Sequence, residues 1–125
     1  MILDTCALLW LAVDQQMLSQ STLSLIEDTP EVSFSAITAF EIGQKHHKGS
    51  LALSLPPTEW LQRAIEKHNL SPINLSAEIC IRATELPEIH KDPFDRLIIA
   101  SALTLGRKVV TTDANFAKYG VEVIN

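Results

Sequence analysis

His90-Lys-Asp-Pro-Phe-Asp-Arg-Leu-Ile-Ile-Ala-Ser-Ala102 places a helix start, two carboxylates and a run of core residues in one short span. Asp92 before Pro93 reads as N-cap and first helical residue, because the aspartate oxygen accepts an orphan backbone N–H and proline has none to leave unsatisfied. Asp95 then falls in the first turn. Leu97, Ile98, Ile99, Ala100, Ala102, Leu103 and Leu105 follow so densely that no wide polar face remains, which predicts a helix covered on most sides. Gly106 supplies a left-handed stop, and Lys108-Val-Val-Thr-Thr112 reads as a buried strand leading to Asp113. Taken alone, Asp92 and Asp95 need no function, since capping and the helix dipole account for both.

Outward from this corner the chain alternates strands and helices. Met1-Ile-Leu-Asp4 reads as a short strand ending in a carboxylate, with Thr5 capping a helix over 6–13. A second helix is predicted over 19–28 with Leu23 and Ile26 inward, followed by the strand Val32-Ser-Phe-Ser35. Residues 35–48 form an amphipathic helix with a stripe through Ile37, Phe40 and Gln44, Glu41 beside it, and Gly49 at its end. A brief extended segment is expected over 51–55, and Pro56-Pro57 opens a helix over 58–68 in which Trp60 belongs to the core or an interface. A short strand over 72–75, a helix over 77–86 capped by Ser76, a helical turn over 114–118 and a last strand over 121–124 complete the series. Such alternation predicts an α/β fold: one domain, 1–125, with a central, mostly parallel sheet and helices on both faces.

Composition agrees with one domain and narrows its partners. At 125 residues, 46% hydrophobic and 20% charged, the chain can bury a core without metal or disulfide help. Cys6 and Cys80, with no secretory signal, are expected to stay reduced in a cytoplasmic protein. The apolar run 6–13 is too short to span a bilayer, so no membrane segment is expected. A formal net charge of −5 argues against gripping nucleic acid by bulk charge, but it allows a local basic rim around an acidic site.

In open α/β sheets the working crevice lies beyond the carboxyl ends of the strands, where Asp4 and Asp113 are expected. Asp95 can meet them there. Glu41 is equally readable as half of an exposed pair with Lys45 at i,i+4. Carboxylates converging in one crevice repel, which implies raised pKa values or a bound hard cation, Mg²⁺ or Mn²⁺. Zinc is disfavoured: neither cysteine has a near partner, and adjacent His46 and His47 point to different sides of a helix. Cations in that last turn, Lys45 and Lys48 included, also complement its dipole.

These residues carry a resemblance. Met1-Ile-Leu-Asp-Thr5, Ser35-Ala-Ile-Thr-Ala-Phe-Glu-Ile42, residues 45–51 and 90–102, and Thr111-Thr-Asp113 with Phe116 and Tyr119-Gly-Val121 resemble a PIN domain, specifically the VapC-like toxins of bacterial type II toxin–antitoxin pairs. Asp-Pro-Phe-Asp-Arg-Leu-Ile-Ile-Ala is its most specific piece. Two departures stand out: Cys6 where histidine often follows Leu-Asp-Thr, and Phe40 where tryptophan is common before the glutamate.

The resemblance implies a metal-dependent endoribonuclease using Mg²⁺ or Mn²⁺, with Asp4, Glu41, Asp95 and Asp113 as the acidic quartet. Thr5 and Thr112 are candidates for holding those carboxylates, and Lys45, Lys48, Lys91 and Arg96 for touching RNA phosphates. It implies in addition an antitoxin partner and a homodimer. His46, His47, His68 and His90 are not expected at the strands' carboxyl edge, which favours attack by water over histidine-assisted attack by the RNA 2′-hydroxyl. Two other classes share parts of the pattern. A phosphoacceptor signalling domain would want an adjacent acid pair after the first strand, and Asp4 is followed by Thr5. A catalytically silent binding module on the same fold would keep every acid, and metal-dependent RNA cleavage separates it from an enzyme.

Overall fold

Strand β1, Ile2–Leu3, shows how short strands fix this molecule, since its two side chains point to opposite faces and both are fully buried. Leu3 joins one core with Val32, Phe34, Leu70 and Val110, and Ile2 joins the other with Val109. The computed structural model describes all residues, Met1–Asn125. Strands β2 (Val32–Ser35), β3 (Leu70–Ile73), β4 (Val109–Val110) and β5 (Val123–Ile124) complete a five-stranded sheet ordered β3-β2-β1-β4-β5. All four pairings are parallel, with Leu3 opposite both Phe34 and Val110. Purely parallel sheets need both faces covered, and here they are.

Helices α1 (Thr5–Val13), α2 (Gln20–Asp28), α3 (Ala36–His47) and α4 (Pro57–His68) cover one face through Ala7, Leu8, Leu11, Ile26, Ile42 and Trp60. Helices α5 (Ala77–Glu85) and α6 (Pro93–Leu105) cover the other through Ile79, Ala83, Ile98, Ile99 and Ala102, with Phe116 sealing its edge. The dense apolar run in α6 is explained by this packing: residues 98–102 are all buried, and only Leu105 at its end reaches solvent. Of these, Ile98 and Ile99 contribute about 1.5–3 kcal/mol each. Gly106 closes the helix at φ 64°, and Asn69 closes α4 in the same left-handed region at φ 52°. No helix is long and apolar enough to cross a membrane. Cys6 and Cys80 are free thiols.

Several boundaries differ from the sequence reading. Asp4, not Thr5, is the N-cap of α1, its carboxylate accepting the Ala7 N–H. Residues 51–55 form no strand; Leu51, Leu53 and Leu55 pack as a loop against the first core instead. Strand β3 lies two residues earlier than expected and so holds Pro72 in its interior and not at its start, which is tolerated because β3 is an edge strand. Strand β4 is two residues long, and a 3-10 turn at Ala117–Tyr119 replaces the helical turn over 114–118.

The order of strands positions the site. From β1 the chain moves outward to β2 and β3, then returns to β4 on the other side of β1. Connections diverge between β1 and β4, and a crevice opens there beyond the strands' carboxyl ends. Asp4 follows β1 and Asp113 follows β4 by three residues.

Candidate active site

Asp4 is 7% exposed, and its Oδ1 accepts the Ala7 N–H at 2.7 Å. Burial pushes its carboxyl above the ordinary range; hydrogen bonds from Thr111 and Ala7 oppose this, and the charges of Asp113 and Glu41 add to it. Asp95 stands in the first turn of α6 beneath the Asp92 cap, whose carboxylate accepts the Phe94 N–H at 2.9 Å. Its carboxyl is pushed up to about 7 by burial first, then by Asp92, Asp4 and Glu41, against the influence of His90. Asp113 behaves oppositely. Burial raises it, but the Asn115 N–H on its Oδ1 at 2.9 Å and His90 on its Oδ2 outweigh burial and hold it below the usual carboxylate range.

Glu41 is 8% exposed, on the α3 face turned toward these acids, and its Oε2 lies 3.0 Å from the Lys45 ammonium. The i,i+4 pair forms, but with Glu41 buried, not on an exposed face as that reading had it. Lys45 is held above its ordinary pKa, chiefly by the Glu41 hydrogen bond. The four acids are thus close enough for their charges to act on one another. Cys6 flanks them; burial and then the Asp4 charge hold its thiol up.

The supporting residues are less as anticipated. Thr5 is buried and bonds the Thr38 hydroxyl at 3.0 Å, tying α1 to α3 and hence Asp4 to the helix of Glu41. Thr112 is exposed; its neighbour Thr111 is the hydroxyl that bonds Asp4 and accepts the Asp113 N–H at 3.0 Å. The chain stays buried for one residue past β4, at Thr111, and reaches solvent at 112. Lys48 and Lys91 are exposed at the rim. Arg96 cannot meet a phosphate, being buried with its guanidinium spent on the carbonyls of Ala83, Leu86, Pro87 and His90.

His90 is the residue that sequence reasoning missed. It was judged by distance from strand ends, yet the loop before α6 folds back over them. Its Nε2 lies 2.7 Å from Asp113 Oδ2 and 3.1 Å from Asp95 Oδ2. The loop is nailed down by the Tyr119 hydroxyl, which accepts the N–H groups of Ile89 and His90 at 3.2 and 2.7 Å and donates to the Pro87 carbonyl at 2.8 Å. The usable signal was the Asp-Pro helix start, which turns the chain sharply just after His90.

A divalent cation fits this donor set. Ligand atoms of His90, Asp95 and Asp113 lie within 4.8 Å of one another, and the charges of Asp4 and Glu41 act on Asp95 from farther off. Burial first, and then the charges of neighbouring acids, raise the pKa values of Asp4 and Asp95, and a hard ion with oxygen ligands would offset both. A cleft of about 540 Å³ lined by Gln15, Asp28, Lys67 and His68 at the sheet's amino edge holds none of these acids.

Known proteins resemble this arrangement from end to end. The family model described as PIN domain matches residues 1–122. Ribonuclease VapC22 of Mycobacterium tuberculosis (strain ATCC 25618 / H37Rv) is 30% identical over 113 residues, spanning 90% of this chain and 85% of that protein. Among solved structures, VapBC2 from Rickettsia felis bound to a DNA fragment from their promoter superposes with a TM-score of 0.73 at 17% identity, covering 100% of this chain and 98% of the other. DNA-bound VapBC from Salmonella typhimurium gives 0.70 at 20% identity, covering 98% and 95%. A toxin–antitoxin complex from Klebsiella pneumoniae gives 0.66 at 22% identity, covering 99% and 95%. At these identities the structural likeness is one of fold.

Proposed function

The chain belongs to the PIN domain family, and from that premise we propose that it is a VapC-type endoribonuclease, the toxin of a cytoplasmic toxin–antitoxin pair. The observation that carries the reading is 30% identity to a ribonuclease over 90% of the chain, and the influence of Asp113 and Glu41 on Asp4 and of Asp4 and Glu41 on Asp95 supports it. Asp4, Asp95 and Asp113 would hold Mg²⁺ or Mn²⁺, and Glu41 would hold the ion or orient the attacking water. Such an ion supplies Lewis acidity, lowering the pKa of water and screening charge that builds at the phosphate.

The protein's own groups do the rest. Asp4, fixed by the Ala7 N–H and Thr111, cannot swing away from the crevice. Lys45, half-exposed beside Glu41, and Lys48 and Lys91 on the rim offer ammonium groups to the backbone of a single strand, offsetting the repulsion expected from a net charge of −5. His90, the one histidine grouped with these acids, is engaged by their carboxylates, which favours water over a histidine pair as the source of attack, with the 3′-oxygen leaving. Cleavage of total RNA should therefore appear with Mn²⁺ and vanish in EDTA, leaving 5′-phosphate and 3′-hydroxyl ends. A 2′-deoxy substitution at the cleaved nucleotide should slow cutting without stopping it. Ends bearing 2′,3′-cyclic phosphate would overturn this chemistry.

The same acids suggest how an antitoxin inhibits. A partner segment bringing arginine or lysine to Asp4 and Asp95 would satisfy both carboxylates and shut out ion and substrate. Titrating the co-purified partner into a cleavage assay should abolish activity at saturation, and light scattering on the same sample should show two copies of this chain. Full activity in the saturated complex would remove the inhibitory role.

A further inference from the structure

On distance alone His90 could be a fifth ligand, because its Nε2 sits among the same atoms as Asp95 and Asp113. Its other nitrogen says otherwise. Nδ1 accepts the backbone N–H of Asp92 at 3.2 Å, so the lone pair is there and the ring proton is on Nε2. We propose that His90 is not a metal ligand but a positioning residue, a fixed Nε2–H donor to Asp113 Oδ2 at 2.7 Å whose nitrogen also stands 3.1 Å from Asp95 Oδ2.

Ligation through Nε2 would require the proton to move to Nδ1. There it would face the Asp92 N–H, donor against donor, at the N-cap residue of α6. Nor is the ring free to turn. The His90 N–H is held by Tyr119 at 2.7 Å, its carbonyl by Arg96 at 3.2 Å, and its ring stands edge-on to Phe116 with centroids 6.1 Å apart. Phe116 is itself fully buried. The backbone at a helix start thus selects the tautomer, and the tautomer selects the role.

One imidazole nitrogen, bonded to Asp113 and in close contact with Asp95, sets the separation of two carboxylates from different elements. Asp95 comes from α6 and Asp113 from the loop after β4, and His90 Nε2 stands between them. Their remaining lone pairs then face the crevice at a set spacing, and a cation entering it meets oxygen donors only. This inference rests on the metal reading above. It implies a site that accepts Mg²⁺ and Mn²⁺ without the preference for nitrogen-loving ions that an imidazole ligand would add.

The test uses the full chain. In the ion-free and the Mg²⁺-loaded protein, ¹H–¹⁵N NMR should show His90 Nε2 protonated and Nδ1 unprotonated; a swap on adding Mg²⁺ would overturn the inference. Pulsed EPR of the Mn²⁺-loaded protein should show no directly coordinated ¹⁴N, and a strong nitrogen coupling lost in His90→Ala would overturn it as well. By calorimetry, His90→Ala should weaken Mn²⁺ binding by about 10–100-fold, as losses of groups that orient ligands do. His90→Gln, which keeps an N–H donor near Nε2, should recover most of it. Equal affinity in wild type and His90→Ala would sink the positioning role. If wild type took up no Mn²⁺, the metal reading would fall, and the tautomer measured without ions would still decide whether His90 is a fixed donor.

Discussion

Asp95→Asn is expected to reduce Mn²⁺-dependent RNA cleavage by about 100-fold or more while raising the melting temperature in EDTA near pH 8. Opposite signs follow from one cause. The Asp95 carboxyl is pushed up to about 7 in the folded protein, chiefly by burial, against about 3.9 for an unfolded aspartate. The folded state therefore binds that proton more tightly. Its stabilising effect is full below about pH 4 and is lost as pH rises to about 7, with a slope no steeper than ~1.4 kcal/mol per pH unit.

Asp4 is shifted in the same direction, and Asp113, held low, works oppositely by losing stability on acidification. Asparagine is neutral at every pH, so the variant should lose the Asp95 share of the slope between about pH 4 and 7 and gain most at alkaline pH. Millimolar Mn²⁺ should stabilise wild type by mass action and the variant much less. Thermal melts across pH, with EDTA and with Mn²⁺, read all of this. Identical pH slopes for the two proteins would show that Asp95 is not the crowded acid described above.

How far the sequence disclosed this site depended on whether a residue's role is local. Asp92-Pro93 and Gly106 are local signals, and helix α6 begins and ends where they place it. Asp4 and Asp113 were found because a strand's end is legible in the apolar run before it, and parallel α/β sheets put their crevice at that edge. Arg96, Thr112 and His90 were misjudged because their roles depend on what packs against them. Nothing in the composition of 90–102 says that the carbonyls ending α5 lie beside position 96, and so a buried clamp was read as a phosphate contact. The one-residue shift from Thr112 to Thr111 reflects how far burial runs past a two-residue strand, which its sequence leaves undefined. Strand β3 was misplaced for a related reason: Pro72 was taken as a strand start, although at a sheet edge proline also fits inside one.

Arg96→Ala should prove the most destabilising single change in this corner, by about 3–5 kcal/mol, comparable with breaking a buried ion pair. The guanidinium is 8% exposed and meets no carboxylate. Its Nη2 donates to Ala83 and Leu86 carbonyls at 2.8 and 2.9 Å, and its Nη1 to Pro87 and His90 carbonyls at 3.0 and 3.2 Å. Ala83 lies in the last turn of α5, where unpaired carbonyls gather partial negative charge and a cation is favoured. Truncation takes a donor from four carbonyls, and although Pro87 keeps the Tyr119 hydroxyl, water must enter the space or the loop must open; each lost bond to a charged donor is worth about 1.5–3 kcal/mol before relaxation.

Lysine would not restore the clamp, because one ammonium cannot span two sets of carbonyls as a planar fork does. Against a total stability of about 5–15 kcal/mol for a domain of this size, the alanine variant should remain folded but with a clearly lower urea midpoint. Because Arg96 also holds the His90 carbonyl, amide exchange should accelerate over residues 86–92 before the sheet is affected. RNA cleavage should fall although all four acids remain, since His90 and with it the spacing of Asp95 and Asp113 would no longer be fixed. A loss below about 1 kcal/mol, the range of an exposed charge, would mean that Arg96 is not the buried clamp of this loop and that its sequence reading as a surface cation was correct.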